Sequence, residues 1–510
     1  MDIFEQLLGG LQAIITPTNL LLLMAGVTVG MVVGIMPGLG PSAGIAILLP
    51  LTFSLEPTGA IVMLAAIYYG AMYGGTITSI LINTPGESAT VASTFDGYPL
   101  ARQGRAGAAL VLCAVASFVA GTVGAVLISG LAPVFSRAAR SFGPPEFFMV
   151  VMLGLLMLVV IIGGNRLYGL ISALIGFALA TVGVDIGTGV QRYTFGSAEL
   201  VGGIDFIPIA IGLFGIGEIL YSVYLNQHSV DFPYIKVSSK DEGFWPSRRE
   251  WRESTGPTAR GSVLGFLVGT LPGAGATIAS LMSYSMEKSI SKTPEKFGKG
   301  AIPGLIGPEA ANNAASAGSL VPLLTLGIPG SGATAVLLGA FLLYGLRPGP
   351  LLMTQNPEFA WGLIASMYLG NVVLVLLNIF AIPLFASFMK IPLRIAIPVI
   401  VVLCTIGTYT VNGSIIETWL MVAAGGLGFF MKRFGFSPAA AIVALVLGPI
   451  AEETLRQSLL ISSGSPLIFY QRPVSFGMAI LIAVLVAVPV AYRLIRGRSL
   501  PTVATGDSDE

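Results

Sequence analysis

The sequence predicts an all-α polytopic membrane protein, with about 10–13 transmembrane or part-spanning helices in two homologous repeats. Three observations carry that prediction. Of 510 residues, 54% are hydrophobic and 10% are charged, against about 25% charged in an average soluble domain. Charge-free runs long enough to cross a bilayer recur along the whole chain. Glycine–proline interruptions repeat in both halves in one register.

The composition excludes several classes at once. A soluble protein of this length must cover its surface with polar groups, and this chain has too few. Disorder needs low hydrophobicity and high charge. The net charge of +1 gives no basic field for nucleic acid. Cys113 and Cys404 sit in apolar runs and form neither a disulfide framework nor a zinc spacing. His228 is the only histidine and lies in a polar stretch, where it reads as a solvated loop residue. A Ser-His-Asp site or a His-based metal site would have to use it alone.

The elements follow in order. The charge-free runs are 6–55, 57–86, 106–136, 147–165 and 167–184, then 261–286, 310–346, 359–389, 395–416, 434–451 and 473–492. Two shorter apolar stretches, 206–217 and 418–431, extend past a charge at the membrane surface. A spanning helix needs about 20 apolar residues, so most runs hold one crossing and the longest hold more. The N-terminal MDIFEQLLGG has no basic residue before its first apolar run. It does not read as a cleaved signal, so the first span is expected to stay in the membrane. Basic residues cluster in 236–260, 288–299 and 493–498, which the positive-inside rule makes cytoplasmic. The expected division is an N-terminal transmembrane repeat at 1–224, a polar cytoplasmic linker at 225–257, a C-terminal repeat at 258–497 and a cytoplasmic tail at 498–510.

The halves match in detail. At an offset of 235, Gly26, Gly30, Gly34, Pro37, Gly38 and Gly40 fall on Gly261, Gly265, Gly269, Pro272, Gly273 and Gly275. At an offset of 244, Pro85, Gly86, Ala89 and Thr90 fall on Pro329, Gly330, Ala333 and Thr334. The polar insert at 285–300 accounts for the change of register. Each half thus carries a P-G-x-G element and a P-G-x-x-A-T element.

Proline removes a backbone donor and breaks the helical ladder. Lipid cannot satisfy the groups this frees, so such backbone must be buried in protein or line a wet cavity. A half-helix N-terminus suits an anion, and unwound carbonyls suit Na⁺. Paired broken segments in two halves point to a transporter's central site. The spacing of Gly26, Gly30 and Gly34 reads as close helix packing. The candidate binding residues are Pro37, Gly38, Gly40 and Ser42, with Pro272, Gly273, Gly275 and Thr277, at the first elements. At the second elements they are Asn83, Thr84, Pro85, Gly86, Glu87, Ser88 and Thr90, with Pro329, Gly330, Ser331, Gly332 and Thr334. Glu87 is either an intramembrane carboxylate that takes a cation or a proton, or an ordinary surface acid. Asn312 and Asn313, beside Glu309, either bind carboxylate or Na⁺ or cap a helix start. Glu452 and Arg456 read as an i,i+4 surface ion pair, and Tyr68, Tyr69 and Tyr73 as packing or interface residues.

These motifs resemble those of the large membrane subunit of the bacterial tripartite tricarboxylate transporters. The resemblance rests on GIMPGLGPSAG (34–44), YYGAMYGGTITSILINTPGES (68–88), GTLPGAGAT (269–277), GPEAANNAA (307–315), TLGIPGSGATAVLLGA (325–340) and LGPIAEETLRQSL (447–459). It covers about residues 15–495. It implies an inverted-repeat, elevator-type fold whose helical hairpin tips, 83–90 and 327–334, face the broken helices at 37–42 and 272–277. It implies a secondary transporter of the bacterial inner membrane working with a small membrane subunit and a periplasmic solute-binding protein. The cargo implied is a di- or tricarboxylate, taken up with Na⁺ or H⁺ as coupling ion. No cofactor is expected.

An intramembrane enzyme would need a catalytic constellation, but the lone histidine lies outside the spans and no paired intramembrane aspartate occurs. A Walker A motif is also absent from the sequence. A passive anion channel or an exporter of similar repeat architecture remains the alternative, separated by accumulation against a gradient.

Overall fold

The computed structural model describes residues 3–36, 38–138, 142–161, 166–185, 187–226, 235–238, 240–241, 243–349, 352–389 and 393–496. The first half holds α1 (Ile3–Ile14), α2 (Pro17–Ile35), α3 (Pro41–Leu48), α4 (Pro57–Ile82), α5 (Val91–Leu100), α6 (Ala106–Ala138), α7 (Pro144–Ile161) and α8 (Arg166–Ala180). A two-residue strand pair, β1 (Gly183–Val184) and β2 (Gln191–Arg192), precedes α9 (Phe206–Ala210) and α10 (Gly217–Asn226). The second half holds α11 (Arg248–Gly269), α12 (Gly275–Ile290), α13 (Ile302–Leu326), α14 (Gly332–Leu343), α15 (Leu352–Gln355), α16 (Pro357–Phe380) and α17 (Ile382–Phe388). It closes with α18 (Leu393–Asn412), α19 (Ile415–Arg433), α20 (Pro438–Ile461), α21 (Ile468–Gln471) and α22 (Pro473–Arg496).

Among the described residues, 8 helical stretches are long and apolar enough to cross a membrane, and five shorter apolar helices accompany them. The protein is an all-α, multi-pass membrane protein, as the sequence predicts. Its rim is apolar: Val399, Val402 and Ile406 of α18, Trp419, Val422 and Phe430 of α19, and Ile480 and Val484 of α22 are all exposed. In water such a surface would aggregate; against lipid it is the required finish.

The repeat in the sequence is a repeat in space. α2 lies along α4, and α11 lies along α13. A Cβ built on Gly26, Gly30 or Gly34 would stand 2.4, 2.4 or 2.2 Å from the carbonyl oxygens of Met63, Ile67 and Ala71. A Cβ on Gly261, Gly265 or Gly269 would stand 2.4, 2.2 or 2.4 Å from those of Gly307, Ala311 and Ala315. Each carbonyl maps onto its counterpart at the offset of 244. The three glycines let two backbones touch along a seam lined by carbonyls and alanine methyls, which is the close-packing reading of this spacing.

Around these pairs the halves exchange helices. α7 and α8 of the first half pack on α20 of the second. The α9–α10 segment of the first half packs on α18 and α19 of the second. α16 lies against α1, α4 and α6. The polar insert of the second half forms the end of α12 and the loop before α13. Asp96 fastens that loop, its Oδ1 accepting from the N–H groups of Gly298, Gly300 and Ala301 at 2.9, 2.8 and 2.7 Å.

α11 begins at Arg248, inside the stretch read from sequence as linker. Ser247 caps it, accepting from the Glu250 N–H at 3.3 Å, and the Glu250 carboxylate accepts from the Ser247 N–H at 2.6 Å. Such a reciprocal cap fixes a helix start wherever the hydrophobic run begins.

The Glu452–Arg456 pair is part of a larger network. Arg456 donates to Glu452 at 2.8 Å and to Asp185 at 2.7 Å, and Arg192 donates to Glu452 at 2.9 and 3.2 Å. The Arg456 hydrogen bond, followed by one from the Gly187 N–H, holds the Asp185 carboxyl well below the usual carboxylate range. The stabilisation is therefore present above the ordinary Asp value of about 3.9 and is lost as pH falls through the lower folded value. Arg456→Ala is expected to lower the melting temperature at neutral pH by a few degrees. The gap to wild type should stay constant down to about pH 5 and close only in stronger acid. Scanning fluorimetry of detergent-purified protein across pH checks this; a gap that widens with acid contradicts it.

Candidate functional site

Each long central helix ends in a left-handed residue. Asn83 closes α4 at φ 53°, and Gly327 closes α13 at φ 73°. The two positions are repeat-equivalent. Pro85-Gly86 and Pro329-Gly330 then turn the chain back. A Cβ on Gly86 would stand 2.2 Å from the Gly34 oxygen, and one on Gly330 2.8 Å from the Ser319 Cα and 3.1 Å from the Gly269 oxygen. Both tips therefore lie against the end of their own half's glycine seam, where only glycine fits. Each return arm is capped alike. The Ser331 N–H donates to Thr334 Oγ1 at 2.8 Å, and the Glu87 N–H donates to Thr90 Oγ1 at 3.4 Å. Thr84 bonds the Ile82 carbonyl at 3.2 Å and belongs to the turn.

The first elements are breaks in helices. α2 stops at Ile35 and α3 starts at Pro41; α11 stops at Gly269 and α12 starts at Gly275. Gly38 and Gly273 both sit at positive φ, 85° and 83°, a conformation that glycine adopts freely. Gly275 does so too at 62°, whereas Gly40 is extended. Neither α3 nor α12 has a side-chain cap on its first turn.

Tips and breaks meet, each with the other half's partner. Ser88 Oγ lies 2.9 Å from Thr277 Oγ1. A Cβ on Gly332 would stand 2.9 Å from Ser42 Oγ. Ser42 maps onto Thr277 and Ser88 onto Gly332, so these are one contact made twice. Within the second half, the Gly273 N–H donates to the Gly330 carbonyl at 3.1 Å, tying Pro272 and Pro329 into one corner. The structure thus brings Ser88 to Thr277, Gly332 to Ser42 and Gly273 to Gly330, while Gly38 faces Ser222, Gly40 faces Glu87, and Asn83, Thr84, Thr90 and Thr334 shape the turns and caps of their own tips. Pro37 and His228 lie outside the described residues, as do the tail 498–510 and 227–234 of the linker.

The electrostatics are lopsided. No Lys or Arg occurs in 36–42, 83–90, 270–277 or 327–334, and Glu87 is their one acid. Its Oε1 is buried without a hydrogen-bond partner among the described residues. Its repeat-equivalent is Ser331. Tyr68, read from sequence as a packing or interface residue, reaches across the halves: its OH lies 3.2 Å from Ser319 Oγ and 3.3 Å from Ser331 Oγ. Tyr73 is a core residue whose OH donates to the Leu110 carbonyl at 2.8 Å.

The capping role of Asn312 and Asn313 does not hold: α13 starts at Ile302, so both are buried in mid-helix. They join a cluster that sequence reading missed, centred on the fully buried Glu309. Its Oε2 accepts from Thr76 Oγ1 at 2.7 Å, Ser93 Oγ at 3.3 Å and Asn312 Nδ2 at 3.4 Å. Its Oε1 accepts from Ser117 Oγ at 3.0 Å and Asn313 Nδ2 at 3.2 Å. Four helices, α4, α5, α6 and α13, meet on this one carboxylate. The signal in the sequence is a lone acid between Lys299 and Arg347, at the edge of a charge-free run.

Duplicated broken helices, reciprocal tip contacts and an apolar rim define a multi-pass membrane protein of the transporter class. The chain belongs to the Tripartite tricarboxylate transporter TctA family, whose model matches residues 20–443. This is a family of transporters rather than enzymes, and a tripartite system implies other subunits beside this one. The chain is 44% identical over 475 residues to an "uncharacterized 52.8 kDa protein in TAR-I ttuC' 3'region" of Agrobacterium vitis, covering 93% of this chain and 94% of that protein. It is 43% identical over 228 residues to an "uncharacterized protein in TAR-II ttuC' 3'region" of the same organism, covering 44% of this chain and 94% of that protein.

Proposed function

We propose that this subunit imports a small di- or tricarboxylate across the bacterial inner membrane, by alternating access and coupled to a Na⁺ or H⁺ gradient. A small membrane subunit and a periplasmic solute-binding protein work with it, the latter delivering the cargo. The observation that carries the reading is the doubled contact of tip on break, Ser88 with Thr277 and Gly332 with Ser42. Each contact places a tip beside the uncapped first turn of a half-helix. Those turns offer backbone N–H donors and a positive partial charge to a carboxylate. Hydroxyls of Ser42, Ser88, Thr277 and Ser331 add donors, while unwound carbonyls offer oxygen to a cation. With no basic side chain in these elements, cargo charge is met by backbone dipoles and the co-transported cation.

The test is uptake of radiolabelled citrate and succinate by proteoliposomes holding the complex with its co-encoded partners. Accumulation above the external concentration, dependent on an imposed Na⁺ or pH gradient, supports the reading. Equilibration without accumulation identifies a passive channel and refutes it.

A further inference from the structure

We propose that Glu309 carries the proton that moves with the cargo, its neighbour Asn313 filling the place a metal cation would take. This rests on the transport reading and specifies its coupling ion.

A buried carboxylate inside a membrane needs a counter-charge or a proton. Glu309 is 0% exposed, and its five side-chain partners among the described residues, Thr76, Ser93, Ser117, Asn312 and Asn313, are all neutral. The geometry around Asn313 separates Na⁺ from H⁺. Its Nδ2 lies 2.6 Å from Asn312 Oδ1, 2.9 Å from Ser117 Oγ, 3.0 Å from the Glu309 carbonyl oxygen and 3.2 Å from Glu309 Oε1. Four oxygens converge there, as they would on a sodium ion, but the point is held by an amide nitrogen. The surrounding acceptors fix that nitrogen's orientation, because the amide oxygen would face three of them in repulsion.

A proton needs no such room. Each hydroxyl of the cluster can donate or accept. With Glu309 charged, Thr76, Ser93 and Ser117 point their hydrogens at the carboxylate. With Glu309 neutral, one carboxyl O–H donates to a hydroxyl oxygen, which turns its own hydrogen elsewhere. The proton is taken from the external medium onto a carboxylate oxygen and given up to the internal medium, leaving the carboxylate as it was. The amides remain donors in both states.

Glu87 and the Oδ2 oxygen of Asp96 apart, the titratable groups around it are engaged elsewhere. Tyr73 of α4 donates to a backbone carbonyl, Cys113 of α6 is a buried thiol, and Tyr68 bonds the two serines. Asp96 of α5 is held by three N–H groups, and Tyr284 of α12 packs edge-on against Phe95 and Phe297. Arg260 of α11 and Glu287 of α12 are paired with each other at 2.7 and 2.8 Å. Glu87, on the tip, is the other carboxylate facing this side of α4, where it approaches Gly75, next in chain to Thr76.

The cluster is also wired to the cargo gate. Ser88, which meets Thr277, and Ser93, which meets Glu309, stand on one continuous helical stretch running from Ser88 into α5. A tip that moves must carry Ser93 with it and change the donors around Glu309. Charge state and tip position are thereby linked.

The test compares wild type with Glu309→Gln in proteoliposomes holding the whole complex, with citrate and succinate as probes and Na⁺ omitted. Wild type is expected to accumulate cargo under an outside-acid gradient. The glutamine variant should lose that accumulation by about ten-fold or more, yet keep cargo-for-cargo exchange within about two-fold, because a permanently neutral site still permits the exchange half-cycle. Full pH-driven accumulation by the variant overturns the proposal. So does wild-type accumulation that a Na⁺ gradient drives and a pH gradient does not. In both cases exchange persists and the transport reading stands. Absence of exchange by wild type with either probe sinks the transport reading, and this proposal with it. If the glutamine variant fails to insert, Ser117→Ala decides. Loss of a donor to the carboxylate favours its protonated form, so the pH of half-maximal uptake should move upward; an unmoved midpoint overturns the proposal.

Discussion

Oxidation of a Ser88→Cys/Thr277→Cys variant is expected to abolish uptake, and reduction to restore it. The two hydroxyl oxygens lie 2.9 Å apart, within a small adjustment of the roughly 2.05 Å of a disulfide. Tip and break belong to opposite halves, so on the proposed reading the bond staples one of the two contacts that must open to admit or release cargo. Uptake should fall by about ten-fold or more when gating is blocked. Each single cysteine removes a hydroxyl of the proposed site, so its own uptake is the reference, and neither oxidant nor reductant should change it. Cys113 and Cys404 are buried and free, so they give little background. Ser42→Cys with Gly332→Cys staples the equivalent contact and should behave alike. Undiminished uptake with the bond formed, scored by a gel shift, would show that tip and opposite break travel as one piece.

Gly265→Val is expected to remove folded protein altogether. Its added Cβ would meet the Ala311 oxygen at 2.2 Å and the Ala311 Cα at 2.6 Å. These are backbone atoms of a helix and cannot swing aside as a side chain can. Overpacking alone costs about 1–3 kcal/mol in cores that can adjust, and parting two helices forfeits more. Gly30→Val, its counterpart, meets the Ile67 oxygen at 2.4 Å and should fail equally. The control is Gly426→Ala on α19, where nothing lies within 4 Å of the new atom. It should raise helix stability by about 0.5–1 kcal/mol. Size-exclusion yield and melting temperature of the three variants decide the matter. A monodisperse Gly265→Val protein of wild-type stability would refute the seam.

The fold was largely legible because lipid makes composition a structural statement. Runs such as 359–389 and 395–416 had to be helices, since no other backbone satisfies itself in hydrocarbon. The repeat was legible because glycine and proline do local work that no other residue can replace. Gly30 and Gly265 stand at backbone contacts, and Gly38 and Gly273 stand at positive φ. Pairing of residues remote in sequence was not legible. Nothing in 68–73 distinguishes Tyr68, bonded across the halves to Ser331, from Tyr73, bonded within its own half. Glu309 escaped for a related reason. A rule that ends a span at each charge cannot see an acid whose partners come from three other helices. The capping role weighed for Asn312 and Asn313 failed with it, because it took the charge for a helix end.

The glycine seams also decide how the protein answers its solvent. Along α2–α4 and α11–α13 the contact is main chain on main chain, with no flexible side chain to take up slack. The outer helices α18, α19 and α22 instead present long apolar side chains to the acyl region. A bilayer thinner or thicker than the hydrophobic girdle must then be met by tilting at the periphery, at a cost of fractions of a kcal/mol per Å of mismatch. The central struts keep their spacing, so lipid chain length should tune how fast the machine cycles while leaving unaltered what it selects.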